Sequence, residues 1–299
     1  MYNIGLEVLT TGMSIDQLTD FSNDLSNKFE NLINLIKTHE SIRKYGNTAQ
    51  LQELMAPALE GVIINISNQS LETIKNTITS VVKYIVDKLN QFGRFIASIF
   101  KDLMNTISNN ISSLKRTLGN MITKNVSFTV NLYPIEQINA AMIKARGITT
   151  ILNDIYKAMN QVHTEDTVAI MTNLKDSLFG NVDELKELLE NLVKEEQTSS
   201  LKDSKTFLLT HESNYNLIKK LTSESCTLSG QLKSVIQKYI TQQDSSLATT
   251  DSTQYFLKKL EIAKDCVDYF TKSTRMCFYI GEKISTNLTN MAAAIEKVI

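Results

Sequence analysis

The residues that carry most enzyme chemistry are sparse in this chain of 299 residues, which has three His and three Cys. His211-Glu212 begins like the zinc motif H-E-x-x-H, but Tyr215 stands where the second imidazole must lie one turn further along a helix. Without two imidazoles on one face there is no zinc pair. His163-Thr164-Glu165 opens like a zinc-deaminase signature, and no P-C-x-x-C follows it. Phosphate cradles need clustered glycines so that backbone N–H groups can approach the anion. The ten glycines here are scattered, and neither G-x-G-x-x-G, G-x-x-x-x-G-K nor G-x-S-x-G occurs. Cys226, Cys266 and Cys277 have no evident His partner in sequence. Cys266 and Cys277, eleven residues apart, fall on nearly one helix face and read as small core residues. Glu184, Glu187, Glu190, Glu195 and Glu196 read as a solvated helix face. These patterns predict a non-enzymatic chain with no cofactor, no metal and no small-molecule substrate.

The elements that would position any such residues are helical. Two Pro, ten Gly and no Trp leave few breaks, and 42% hydrophobic residues supply a large core. The predicted fold class is all-α: an elongated bundle of long amphipathic helices with coiled-coil-like packing and one short extended segment near 125–133. Ser14 and Gln17 have the form of a capping box. Leu18, Phe21, Leu25, Phe29, Leu32 and Ile36 then give a helix to about Ile42. A short helix at Leu51–Met55 ends at Pro57, and Ala58–Gly61 reads as an exposed loop. From Leu71 to Leu118 apolar residues hold one helical period, a rod of roughly 70 Å, with Gly93 its weak point and Gly119 its end. Val126, Phe128, Val130 and Leu132 alternate with polar residues. That segment reads as an extended connection, or an edge pairing with another chain. Pro134 opens a helix to about Val162. Helices follow at Asp166–Phe179 with Gly180 as its cap, Val182–Glu196, Lys205–Leu221 and Ser223–Thr241. Gln242–Ser252 reads as a flexible loop and Thr253–Ile299 as a last long helix. Apolar seams this long predict surplus surface that neighbours must cover.

Charge sorts these segments. The chain carries 31 Lys+Arg and 32 Asp+Glu, so it is not a globally basic nucleic-acid binder. Residues 1–60 hold eight acidic and four basic side chains; residues 61–133 hold three and eight. Three domains are therefore expected: an acidic helical arm or propeptide over 1–60, a basic amphipathic helix and extended connection over 61–133, and a helical bundle over 134–299. Lys75, Lys83, Lys88, Arg94, Lys101, Lys115 and Arg116 form a candidate basic interaction face for phosphates or an anionic surface. The start MYNIGLEVLTTGM does not have the form of a secretion signal. Lys83, Asp87, Lys88 and Arg94 interrupt the most apolar stretch, so no membrane span is expected.

The stretch Met55-Ala56-Pro57-Ala58-Leu59-Glu60-Gly61-Val62-Ile63, followed by the Ile-rich rod, resembles internal head proteins (inner-body or inner-capsid) of phiKZ-like giant bacteriophages. The resemblance covers roughly residues 1–120. It implies a helical virion component with an acidic propeptide, cut by a prohead protease after a small residue, any residue, then Glu. Ala58-Leu59-Glu60 with the following Gly61 matches that pattern, as do Gly5-Leu6-Glu7, Ser70-Leu71-Glu72 and Ala294-Ile295-Glu296. Only the first has a neighbouring Pro and a charge change across it. The function expected is a non-enzymatic virion structural protein inside a large phage head, made in the bacterial host cytoplasm. Its expected partners are capsid shell protein, copies of itself or packaged DNA. Two other readings stand beside it: a membrane-active protein resembling α-pore-forming toxins of the hemolysin E type, and a soluble coiled-coil adaptor.

Overall fold

Apolar residues spaced three and four apart make nearly all of the described residues helical. The computed structural model describes residues 18–45, 71–119, 126–161, 163–243 and 250–298. Among them are six helices and two strands: α1 (Leu18–Tyr45), α2 (Leu71–Gly119), β1 (Ser127–Leu132), α3 (Ile135–Met159), α4 (Glu165–Glu190), β2 (Glu195–Ser200), α5 (Leu201–Gln243) and α6 (Thr250–Glu296). The fold is all-α apart from one two-stranded sheet. Gly119 ends α2, and Gly93 lies inside it without a break. At 49 residues, α2 is about 74 Å long. Its polar face is rich in small hydroxyls. Those of Thr77, Thr79, Ser80, Thr106 and Ser112 donate to the carbonyl four residues back, so the helix satisfies them itself.

The central element is α6, which touches α1, α2, α3, α4, α5 and β1. It runs parallel to α2 in constant register. Phe92 meets Phe270 edge-on at 5.3 Å and Phe100 meets Phe278 at 5.8 Å. One turn on, Gly281 faces Leu103, and a Cβ there would lie 2.6 Å from Leu103 Cδ2. The absence of a side chain is what lets the two helices close at this level. Asn110 Nδ2 then donates to Ser285 Oγ at 3.0 Å and Thr289 Oγ1 at 3.2 Å.

The other helices pack round this pair. α1 lies antiparallel to both: Phe21 stacks on Phe92 at 4.9 Å, Arg275 Nη1 donates to Thr19 Oγ1 at 2.9 Å, and Lys37 pairs with Glu261 at 3.1 Å. α5 lies antiparallel to α2, with Lys115 paired to Glu212. α4 runs along α6 through Lys175–Asp265 at 3.3 Å and Phe179 against Tyr269. α3 turns back on α4 through Lys144–Glu184. Leu18 to Ile295 form one continuous buried cluster, so packing contacts join all three segments expected from charge.

Several expectations are corrected. The extended segment is neither a bare connection nor an edge for another chain, because β1 pairs antiparallel with β2 from Ser127↔Ser200 to Leu132↔Glu195. Glu195 and Glu196 are therefore strand residues and not the end of a helix-face run. Gly180 does not end a helix. It lies within α4, nothing stands within 4 Å of a Cβ placed on it, and Leu178, Val182, Leu185 and Leu189 stay buried in register across it. A glycine there costs about 1 kcal/mol of helix propensity, less than that continuous seam returns. The two helices expected over 205–241 are one, α5, with Thr222 Oγ1 donating to the Ile218 carbonyl inside it. The expected loop at Gln242–Ser252 narrows, since α5 runs to Gln243 and α6 begins at Thr250. The surplus of apolar seam is also overturned. Ile74, Ile78, Ile85, Leu89, Phe92, Ile96, Ile99, Leu103, Ile107, Ile111, Leu114 and Leu118 are all buried within this one chain, as are Phe256, Leu260, Val267, Phe270, Ile280, Ile284, Leu288 and Met291. The Ser14–Gln17 cap, the Leu51–Met55 helix, the Ala58–Gly61 loop and residues 244–249 lie outside the described residues.

Candidate interaction surface

With the apolar ridge of α2 turned inward, its cations are sorted by what lies beside them. Lys88 faces α1. Its Nζ lies 3.4 Å from Asp24 Oδ2 and 5.4 Å from the Tyr84 ring centroid. The Tyr84 hydroxyl donates to the same carboxylate at 2.8 Å, and Lys28 stands over the same ring. Burial and then the Asp24 hydrogen bond push the Tyr84 phenol pKa upward. This cluster is a latch between α1 and α2, so Lys88 leaves the candidate face. Lys115 leaves it too, held by Glu212 of α5. Lys75 is half-buried, while Lys83, Arg94, Lys101 and Arg116 are exposed. None of those four makes an ion pair among the described residues. Lys83, Arg94 and Lys101 fall within about 20° of one another on an ideal helical wheel. They make a narrow row of cations on the outer side of the longest helix, with Asp87 and Asp102 also exposed on α2. Such a row can attract phosphates or carboxylates. Ala58, Leu59, Glu60 and Gly61 of the candidate processing site lie outside the described residues.

Several titratable groups lie in the interior. His211 is fully buried against Phe207, neither ring nitrogen has a hydrogen-bond partner among the described residues, and burial lowers its pKa to about 4. Cys266 and Cys277 are buried, and burial pushes their thiols up to about 12, away from the reactive thiolate. Lys259 is 1% exposed. Its ammonium donates to the carbonyls of Ala158 and Gln161 at 3.1 Å each, capping the C-terminal end of α3, and burial lowers its pKa to about 8. His163 precedes the Thr164 cap of α4 and packs on Phe256.

Sequence reading did not find the groove between α4 and α6. It encloses about 680 Å³ and is lined by Asp183, Lys186, Arg275, Phe278, Tyr279 and Glu282 among others. Burial raises the Glu282 carboxyl pKa, and neighbouring Lys283 opposes the rise. Lys283 itself lies over the Tyr279 ring at 3.9 Å and donates to the Tyr133 hydroxyl at 3.2 Å. These residues come from two helices and a strand end, so no spacing in sequence marks them. Among the described residues no group of three or more His, Cys, Asp or Glu could hold a metal ion. No helix among them is long and apolar enough to cross a membrane. No known protein family, curated protein sequence or solved structure matches the chain at a significant level.

Proposed function

We propose that this chain is a non-enzymatic structural protein of the interior of a large phage head, working through the polar outer faces of its helices. The observation that carries the reading is the row Lys83, Arg94 and Lys101, exposed and outside any ion pair among the described residues, on a helix of 49 residues whose apolar side is buried. A long straight row of cations suits contact with a polyanion such as packaged DNA, because neutralised phosphates release counterions. The resemblance of residues 55–63 and of the rod to internal head proteins supports the same setting. The partners proposed are shell protein, DNA or copies of the chain. Processing after Glu60 belongs to this reading. A cut there would not by itself free the acidic arm, since Leu18, Phe21, Leu25, Phe29, Leu32 and Ile36 of α1 are buried within the bundle.

Mass spectrometry of purified virions tests the location. The chain is expected within the head at structural copy number, beginning at Gly61 or at Met1 according to whether the cut is made. Its absence from the particle overturns the reading. Retention on duplex DNA tests the row. Replacing Lys83, Arg94 and Lys101 together by Gln should lower the slope of log affinity against log salt by about 2 to 3. An unchanged slope removes DNA as the partner of this face.

A further inference from the structure

Among the described residues the sheet has one closed edge and one open edge. β1 pairs with β2 on one side, and asparagines of α6 satisfy the other side. Asn290 Nδ2 donates to the Asn131 carbonyl at 2.8 Å, while Asn287 Nδ2 donates to the Tyr133 carbonyl at 2.9 Å and Asn287 Oδ1 accepts from the Tyr133 N–H at 2.8 Å. β2 has such cover only at its last residue, where Ser204 Oγ donates to the Ser200 carbonyl at 2.8 Å. Among the described residues no second strand pairs with it and no loop backbone bonds to it. Its residues are exposed or half-buried, and Val193, two residues before it, is 59% exposed. An open strand edge is a row of unpaired N–H and C=O groups that templates another strand.

We propose that this edge pairs antiparallel with the β2 edge of a second copy of the chain, giving a four-stranded sheet across a twofold axis. The sequence of the strand favours itself as partner. Alternate residues of β2 turn their backbone groups toward β1 and the others face outward, so only residues of like orientation can stand opposite each other. The registers that pair most of the strand therefore place Gln197 or Thr198 on the axis. With Gln197 on the axis, Glu195 faces Ser199 and Glu196 faces Thr198. With Thr198 there, Glu196 faces Ser200 and Gln197 faces Ser199. In neither register does a carboxylate oppose a carboxylate, and with Gln197 on the axis each Glu can accept from a hydroxyl, Glu195 from Ser199 and Glu196 from Thr198. An all-acidic edge would repel its copy; this one confines its charge to one end, and the twofold axis separates the two ends. The pairing surface is distinct from the cation row of α2 and does not depend on the virion reading. Six-residue edges bury little area, so a dissociation constant on the order of 10 μM is expected.

Sedimentation of the full chain, with Cys226→Ser, tests this. The wild-type edge should move from the 33.7 kDa chain mass toward twice that mass as concentration rises through the micromolar range. Q197E/T198E places like charges across the axis in either register and should stay at the single-chain mass with unchanged helical circular dichroism. Gln197→Cys and Thr198→Cys give a second test that tolerates loss of the first variant. The residue on the axis lies opposite its own copy, within disulfide reach. One of the two variants should therefore cross-link on diamide oxidation at least tenfold faster than Leu209→Cys, an exposed control on α5. A wild-type edge that keeps the single-chain mass at all concentrations overturns the pairing. So do two cysteine variants that oxidise no faster than the control.

Discussion

His211 is a base sealed in the core without a partner, and its cost appears on acidification. Its pKa falls from 6.5 to about 4 because burial penalises the imidazolium. The unfolded chain takes up a proton below 6.5 that the folded chain excludes. The stability is therefore complete above that value and is lost as pH falls toward 4. At pH 5 the loss is roughly 2 kcal/mol. His163 shifts in the same direction but is half-exposed, and solvent reduces its share. Urea midpoints at pH 7 and pH 5 measure this, and His211→Leu should remove the larger part of the drop. An equal drop in the variant would locate the acid sensitivity elsewhere. Lys259 shows the opposite solution, a buried cation with partners. Lys259→Met leaves the Ala158 and Gln161 carbonyls without that donor and should cost about 2 kcal/mol at pH 7, read from the same urea curves. A neutral or stabilising result would mean that the desolvation cost of the ammonium outweighs its two hydrogen bonds.

At the scale of elements, the parallel pair α2–α6 depends on one small residue. Gly281→Val drives a side chain into Leu103 and should destabilise by about 2 kcal/mol. Leu103→Ala makes room, so the double variant should be at least about 1 kcal/mol more stable than the sum of the single losses. Strict additivity in denaturation experiments would show that the two side chains do not compete for the same space. Most helices were legible because their apolar period is long: the rod from Leu71 to Leu118 and the last helix needed only spacing. The misreadings share a physical cause. At Gly180 and at Thr222-Ser223 local propensity argued for breaks, but buried seams on both sides continue in phase, and tertiary packing outweighs a weak former. β2 was hidden because Glu195 to Ser200 has neither alternation nor β-branched apolar residues. Only its pairing with β1, sixty-odd residues away, makes it a strand. The candidate site was legible in part. The exposure of Lys83, Arg94 and Lys101 follows from their place opposite the apolar ridge. The internal use of Lys88 and Lys115 depends on Asp24 and Glu212, whose nearness only the folded chain creates.

The whole molecule is built on α6 as a shared wall. Five helices and a strand lean on it, and the ridges that looked too long for one chain to hide are hidden by one another. This changes what partners can touch. The apolar seams are spent on folding, which leaves polar rows, the open β2 edge and isolated exposed residues such as Phe179 and Leu209 for contact. It also separates stability from assembly, because the core is complete before any neighbour arrives. Removing α1 would bare the sides of α2 and α6 that it covers. A chain beginning at residue 61 should therefore bind a hydrophobic dye strongly, whereas a full chain merely nicked after Glu60 should not.

Native-state hydrogen exchange at two protein concentrations tests that claim most directly. In Q197E/T198E, which does not pair through β2, amides from Leu260 to Met291 of α6 should exchange only through global unfolding, with protection equal to the unfolding free energy and unchanged on hundredfold dilution. Fast exchange along α6, or protection that falls as the chain is diluted, would show that neighbours and not this chain complete the core.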